Sequence, residues 1–335
     1  MSDAEQPEPG LPAQALASLP RPASGWSPVS NRILVRISGP GTDKFLQGQF
    51  SQHLDEVVPG FSPRAAAATP KGRAYCLTRM VRAGDDVLID LDADLAEGIL
   101  GQLRKYLMLF RGTSAQVLED GAVIGLYGSP GAEQLAGAAL ADLKAPGDTL
   151  ELPAGFLIRV EPTADGVPRF ELWQPEAAAT GLTQADEHTP ADWQASNMAA
   201  GIARLTTETT EAFVPQMLNW QHLGGVHFKK GCYTGQEVIA RMHFLGQLKK
   251  SLYRFRLAQA PAPSPGVQVV ANDKSVGTVV DAVGFTDGSA EVLAVVRHDA
   301  ADGPLAIDGG PDQVLEPLPL PYPVPERGEG AAPDT

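Results

Sequence analysis

Cysteine is almost missing from this chain: Cys76 and Cys232 are the only two among 335 residues. So distant a pair makes neither a disulfide framework nor a CxxC zinc or redox motif. One chain of this kind cannot supply four thiolates to an iron–sulfur cluster, so any such chemistry needs ligands from a partner, a second subunit or a small molecule. Long apolar runs are missing too; no stretch nears the ~18 uninterrupted apolar residues that a membrane-spanning helix requires. The start lacks both the basic, apolar pattern of a secretory signal and the acid-free, Arg-rich pattern of a mitochondrial presequence, since Asp3, Glu5 and Glu8 sit among prolines. Residues 1–28 therefore read as a disordered tail and the protein as cytoplasmic, with no membrane partner. Motifs for nucleotide loops (GxGxxG, GxxxxGK[ST]), zinc proteases (HExxH) and serine hydrolases (GxSxG) are absent. His222, His227 and His243 lie near Cys232 in sequence, but their spacings fit no zinc pattern, and no stable metal site is expected.

Positive charge is scarce as well: 26 Lys and Arg against 40 Asp and Glu give −14, which argues against general binding to nucleic acid. The shortage is uneven. Between Phe228 and Arg256 seven basic residues face one acid, Glu237, so this strip is +6 while the rest of the chain is −20. Either it is a solvated surface, or Lys229, Arg241, Lys249 and Lys250 attract an anion or a partner.

What is present is an ordinary globular composition, 43% hydrophobic and 20% charged, in a chain long enough for two or three packed units. Period-two apolar runs predict strands at 33–37, 64–69, 73–81, 86–91, 115–118, 123–127, 156–160 and 169–173. Pro70-Lys71-Gly72 should turn the second into the third. Leu95, Ile99, Leu103, Tyr106, Leu107 and Phe110 line one face of a helix, and further helices are expected near 42–49, 132–141 and 190–199. Strands outnumber helices without βαβ alternation, which indicates an α+β fold. From 251 onward, short strands at 253–257, 267–270, 276–283 and 291–296 predict a small C-terminal β-barrel over 251–320. The region 29–250 then holds two α+β subdomains. Residues 321–335 read as a tail, extended over a surface or disordered, because seven prolines fall between Pro311 and the end.

One passage carries more chemistry than the rest: Lys229-Lys230-Gly231-Cys232-Tyr233-Thr234-Gly235-Gln236-Glu237. Thr234 and Glu237 have the spacing of a capping box, so a helix should start here and run past Arg241. Cys232 then lies just before a helix N-terminus, with two lysines upstream, a setting that favours a thiolate. Gly231 and Gly235 give the backbone freedom on both sides. Cys76, inside the apolar run Ala74-Tyr75-Cys76-Leu77, reads as a buried structural residue.

Lys230 to Glu237, KGCYTGQE, resembles the signature of the YgfZ family of folate-binding proteins. Ile37-Ser38-Gly39, Phe45-Leu46-Gln47-Gly48-Gln49, Pro70-Lys71-Gly72-Arg73, Leu103-Arg104-Lys105-Tyr106, Val214-Pro215-Gln216 and Leu315-Glu316-Pro317-Leu318-Pro319 resemble family landmarks in the expected order. The resemblance implies a fold like the aminomethyltransferase of glycine cleavage, with α+β regions and a terminal barrel around an opening for tetrahydrofolate or its formyl or methylene form. It implies an accessory protein rather than an enzyme, acting with iron–sulfur client enzymes and assembly factors, and through them on tRNA methylthiolation. Cys232 takes the place of the functional thiol and could ligate a cluster transiently. Trp193 matches the tryptophan that stacks on folate, while the place of a second tryptophan falls on Arg32, with Trp26 six residues earlier. Two rivals remain open: a folate-dependent one-carbon transferase using an acid to orient the folate amine, and a module that binds tRNA directly through the strip 228–256.

Overall fold

The computed structural model describes residues 15–310 and 314–324. Its first part runs β1 (Gly25–Pro28), β2 (Arg32–Ser38), α1 (Thr42–Gln49), β3 (Arg64–Ala68), β4 (Ala74–Ala83), β5 (Asp86–Asp92), α2 (Ala96–Leu107) and β6 (Ser114–Val117). The middle continues with β7 (Ala122–Tyr127), α3 (Pro130–Ala136), β8 (Thr149–Leu152), β9 (Gly155–Val160), β10 (Arg169–Gln174), α4 (Pro190–Ala199) and α5 (Gln236–Phe244). The last part is all strand: β11 (Lys250–Leu257), β12 (Gln268–Ala271), β13 (Lys274–Gly284), β14 (Ala290–Arg297), β15 (Ala306–Ile307) and β16 (Glu316–Leu318).

These strands form three antiparallel sheets, ordered β3-β4-β5-β2-β6, β1-β7-β10-β9-β8 and β15-β12-β13-β14-β11-β16. The α+β expectation holds, and the C-terminal unit is a curled, open sheet, a half-barrel. α2 buries Ile99 and Leu103 as its period demands, but it stops at Leu107, and Phe110 packs edge-on against Phe45 at 5.7 Å from beyond the helix. Tyr106, expected on the buried stripe, is 38% exposed.

The first two sheets face each other. Leu34, Val81 and Leu88 from one meet Val123, Phe156 and Trp173 from the other in a shared core. Charges share that interface. Arg64 on β3 forks onto Glu161, just past β9, with two bonds of 2.8 Å, and Arg79 on β4 reaches both Glu161 oxygens at 3.2 Å. Beside them, Arg32 on β2 bonds Asp90 (Nε–Oδ2 2.7 Å) and Asp92 (2.8 Å), both on β5. Burial would raise the Glu161 carboxyl, yet the charges of Arg64 and Arg79 outweigh it and hold it well below the usual carboxylate range.

The expected N-terminal disorder needs correction within the described residues. Ala17 pairs with β13's end (Ala17 N to Gly284 O, 2.9 Å), Ser18 N donates to Asp192 at 2.6 Å, and β1 forms a ladder with β7. The reason is that the acids lie within 1–14, outside the described residues, whereas the backbone between later prolines still has N–H groups to pair. At the other end β16 pairs with β11, and Tyr322 donates to Gly201 O at 2.6 Å while stacking on His222 at 5.2 Å. Residues 325–335 of that expected tail lie outside the described residues.

Replacing Glu161 with Gln would leave Arg64 and Arg79 buried without their counter-charge. The expected loss is about 3–5 kcal/mol of stability. Urea unfolding of the variant checks this; a loss below about 1 kcal/mol would mean the arginines find compensation elsewhere.

Candidate functional site

A cavity of about 510 Å³ opens where all three sheets meet. Arg32, Asp90 and Asp92 supply its wall from the first sheet, Glu171 from the second, Asp281 from the third, and Trp193 from α4. α4 is placed firmly. Thr189 and Asp192 cap each other's backbone N–H, Pro190 opens the first turn, and Asp192 also holds Ser18. The sequence Thr-Pro-Ala-Asp carries that signal in addition to the apolar periodicity of 190–199.

Trp193 lies in the cavity wall but is only 2% exposed. Its ring rests on Gly125, where an added Cβ would come within 2.2 Å of the ring-fusion carbon Cδ2, and the Arg169 guanidinium stands 4.3 Å from the ring centre. Arg32 reaches the same cavity, with its guanidinium already spent on Asp90, Asp92 and the Leu77 carbonyl. Arg204 lines it too and pairs with Asp92 and Asp94. The sequence reading missed the acids of this wall. Their signal was the interruption of apolar strands by single acids, as in Val-Val-Asp-Ala-Val for Asp281 and Ile-Asp-Leu-Asp for Asp90 and Asp92.

Unlike Asp90, Asp92 and Asp94, Asp281 has no cationic side chain in contact. It accepts from Gln194 Nε2 (2.9 Å), Arg204 N (3.0 Å) and its own neighbour Ala282 N (3.0 Å), next to a register shift in the β13–β14 ladder. Burial pushes its carboxyl up to about 6, the three donors only partly opposing this.

The Cys232 loop is a separate structure. Cys232 is exposed and forms no part of the cavity wall, while Cys76 is buried and its thiol is pushed up by burial. The loop is fastened by Lys230, whose ammonium donates to Gln47 O and Phe50 O at 2.6 Å each, and by Thr234 N, which donates to Gly48 O at 3.0 Å. Both anchors lie at the C-terminal end of α1. Burial lowers the Lys230 ammonium to about 8, a thiolate at Cys232 acting in the opposite sense.

The expected capping box does not form. Thr234 turns its hydroxyl toward Gly48 O, and Gly235, at φ +85°, becomes the N-cap of α5 with Gln236 as the first helical residue. Only glycine fits there, because a Cβ would lie 2.6 Å from Thr69 O; opposite it, a Cβ on Gly72 would lie 2.7 Å from Val238. Gln236 Oε1 instead receives Tyr233 N at 3.2 Å. Gly231 stands exposed beside Cys232, and Glu237 points outward from the first turn of α5.

The basic strip does not form one face. Lys230 and Arg254 are buried, the latter bonded to Glu291 at 2.7 Å, and Arg256 faces Asp287 at 3.4 Å. Lys229, Arg241 and Lys249 are exposed, with Lys250 half-buried. Among the described residues no group of three or more His, Cys, Asp and Glu could hold a metal ion, and no helix is long and apolar enough to cross a membrane.

Three sheets around one cavity, with a cysteine loop outside it, define a protein of the aminomethyltransferase fold. Aminomethyltransferase T of the glycine cleavage system from Bartonella henselae matches with a TM-score of 0.67 at 18% identity, over 90% of this chain and 86% of that one. No protein-family profile matches the chain. The tRNA-modifying protein YgfZ from Escherichia coli O45:K1 is 30% identical over 308 residues, 86% of this chain and 90% of that protein, and YgfZ from Shigella dysenteriae serotype 1 gives the same figures. The chain belongs to the YgfZ family.

Two measurements test this geometry. Alkylation of the native protein is expected to label Cys232 and to spare Cys76 until unfolding; faster labelling of Cys76 would contradict the burial described. The second concerns Asp281. Since its folded pKa lies above the unfolded value of about 3.9, its contribution to stability is present at low pH and is lost as pH rises through about 6. The stability gap between the wild type and Asp281→Asn is therefore expected to move in favour of the wild type by roughly 1–3 kcal/mol between about pH 8 and about pH 4. His222 and His298, lowered by burial, act the other way but equally in both proteins. A gap that stays flat across that range would sink the assignment.

Proposed function

We propose that this chain is a cytoplasmic, folate-binding accessory protein that supports tRNA modification, with tetrahydrofolate or its formyl or methylene form in the three-sheet cavity. The observation that carries the reading is that cavity, about 510 Å³ with both carboxylates and an indole in its wall, in a fold shared with a glycine-cleavage aminomethyltransferase. The size suits a drug-sized ligand. The 2-amino-4-oxopyrimidine edge of a pterin offers adjacent N–H donors, which a carboxylate such as Glu171 accepts in pairs. The naming of the relatives as tRNA-modifying proteins supports the biological context.

Cys232 is the working thiol in this reading. It protects, transfers or helps to dismantle a cluster on an iron–sulfur client enzyme, with Lys229, Arg241, Lys249 and Lys250 meeting the partner or its assembly factors. A cluster held this way is cargo, because Cys232 is the only exposed thiol among the described residues. The one-carbon transferase remains a second reading, favoured by Glu171 and Asp281, cavity acids that a transferase would need to orient the folate amine. Direct tRNA binding through 228–256 draws less support, since Lys230, Arg254 and Arg256 are engaged within the protein.

Calorimetry with tetrahydrofolate tests the cavity: Trp193→Ala is expected to weaken binding by roughly 1–3 kcal/mol, and unchanged affinity would remove Trp193 from the site. Cys232→Ser tests the thiol. Serine keeps the size but offers no soft anionic ligand at neutral pH, so the variant is expected to melt normally, bind folate, and fail to restore a cluster-dependent tRNA methylthiolating enzyme in a strain lacking its own YgfZ. Full restoration would overturn the thiol role.

A further inference from the structure

Among the cavity acids, Asp281 is set apart by a cradle of three neutral donors; Glu171, which also has no ion pair, accepts from Trp173 Nε1. Asp90 and Asp92 spend their charge on Arg32, and Asp94 pairs with Arg204. Asp281 is held only by neutral donors from three places, Gln194 on α4, the Arg204 backbone and Ala282 on β13. A carboxylate has about four acceptor sites, and these bonds use three, two on Oδ1 and one on Oδ2. The register shift beside it in β13 is the kind of irregularity that re-aims a side chain at a site.

We propose that the free acceptor site of Asp281 receives a ring N–H of the cavity ligand and selects a reduced pterin over an oxidised one. The inference rests on the folate reading of the cavity. It follows from ring chemistry: tetrahydropterin carries N5–H and N8–H donors, whereas the oxidised ring presents bare nitrogens, acceptors that an ionised carboxylate repels. The two forms share the aminopyrimidine edge and the glutamate tail, so Glu171 and the arginines cannot tell them apart. Asp281 can.

Protonation turns the selection off, because a neutral carboxyl offers a donor to the oxidised ring. The burial that raises Asp281 to about 6 puts this change in reach of ordinary buffers. Arg204 is the cation acting on Asp281, while Asp92, Asp94 and Glu208 line the same cavity. Gln194, on the side of α4, carries no charge.

The test is anaerobic calorimetry of the full chain with tetrahydrofolate and with folic acid at about pH 7.5 and about pH 5. At the higher pH the reduced form is expected to bind about ten- to a hundredfold tighter, the range for a hydrogen bond to a charged group. The ratio is expected to collapse toward unity at the lower pH and in Asp281→Asn. Should that variant fold poorly, the pH series on the wild type decides alone. Equal affinity for both forms at pH 7.5, or a ratio unmoved by pH, overturns the role of Asp281 and leaves the folate cavity standing. If neither form binds the wild type, the cavity reading falls and the inference with it.

Discussion

Two arginines on one buried glutamate set the terms for much of this fold. Arg64 and Arg79 come from neighbouring strands of the first sheet, directly across from each other in the β3–β4 ladder, and Glu161 comes from the end of β9 in the second. Charges in a low-dielectric interior are costly when separated, so the two sheets cannot slide or part without exposing that cost. Such pairs give little net stability over apolar replacements, but removing one partner leaves an uncompensated buried charge. Arg64 also reaches the cavity wall, as do Arg32, Asp90 and Asp92 from the pairs alongside. The shape of the cavity is thus a consequence of how the sheets are keyed together.

Much of the frame could be read from the sequence, because its strands and main helices are long enough for their periodicity to show. α4 fills the expected span near 190–199, and Pro70-Lys71-Gly72 does turn β3 into β4. The elements that escaped are short: β1 at Gly25–Pro28, β8 at Thr149–Leu152, β15 at Ala306–Ile307 and β16 at Glu316–Leu318 exist because a neighbouring strand lends them hydrogen bonds. No local pattern reports a partner that lies far away in sequence. Thr234 shows the same limit: its spacing to Glu237 is that of a capping box, but Gly235, seated against Thr69 O, is the N-cap and the helix starts one residue later than the spacing implies. At Thr189 and Asp192, where the helix starts in the register that the spacing implies, the local signal holds.

Trp193 and Lys230 show how a residue can be singled out correctly for position and differently for environment. Trp193 does stand in the cavity wall, but packed on Gly125 and under Arg169 rather than as an open aromatic face. Lys230 does flank Cys232, yet its ammonium is occupied by two carbonyls at the end of α1. Its first effect is mechanical. It ties the cysteine loop to the helix that carries the Phe45 to Gln49 landmark, just as Gly235 and Gly72 seat the start of α5 against the β3–β4 turn. Segments far apart in sequence but alike in resembling one family are therefore parts of a single mount for one thiol.

That mount bears on how the two sites can act together. Cys232 is exposed, lies outside the cavity wall, and is held by bonds that leave its loop little freedom to swing inward. A direct reaction between the thiol and a ligand in the cavity would need those anchors to break, including two charge-assisted bonds of 2.6 Å from a largely buried lysine. The connection that does exist is through the chain: Trp220 stands in the cavity wall, and the segment after it, pinned where Ser51 donates to Gly225 O at 2.5 Å, leads to Cys232. In the function proposed above, this separation means a division of labour, in which the cavity would hold the folate inside the three sheets while the thiol would meet its partner from solvent.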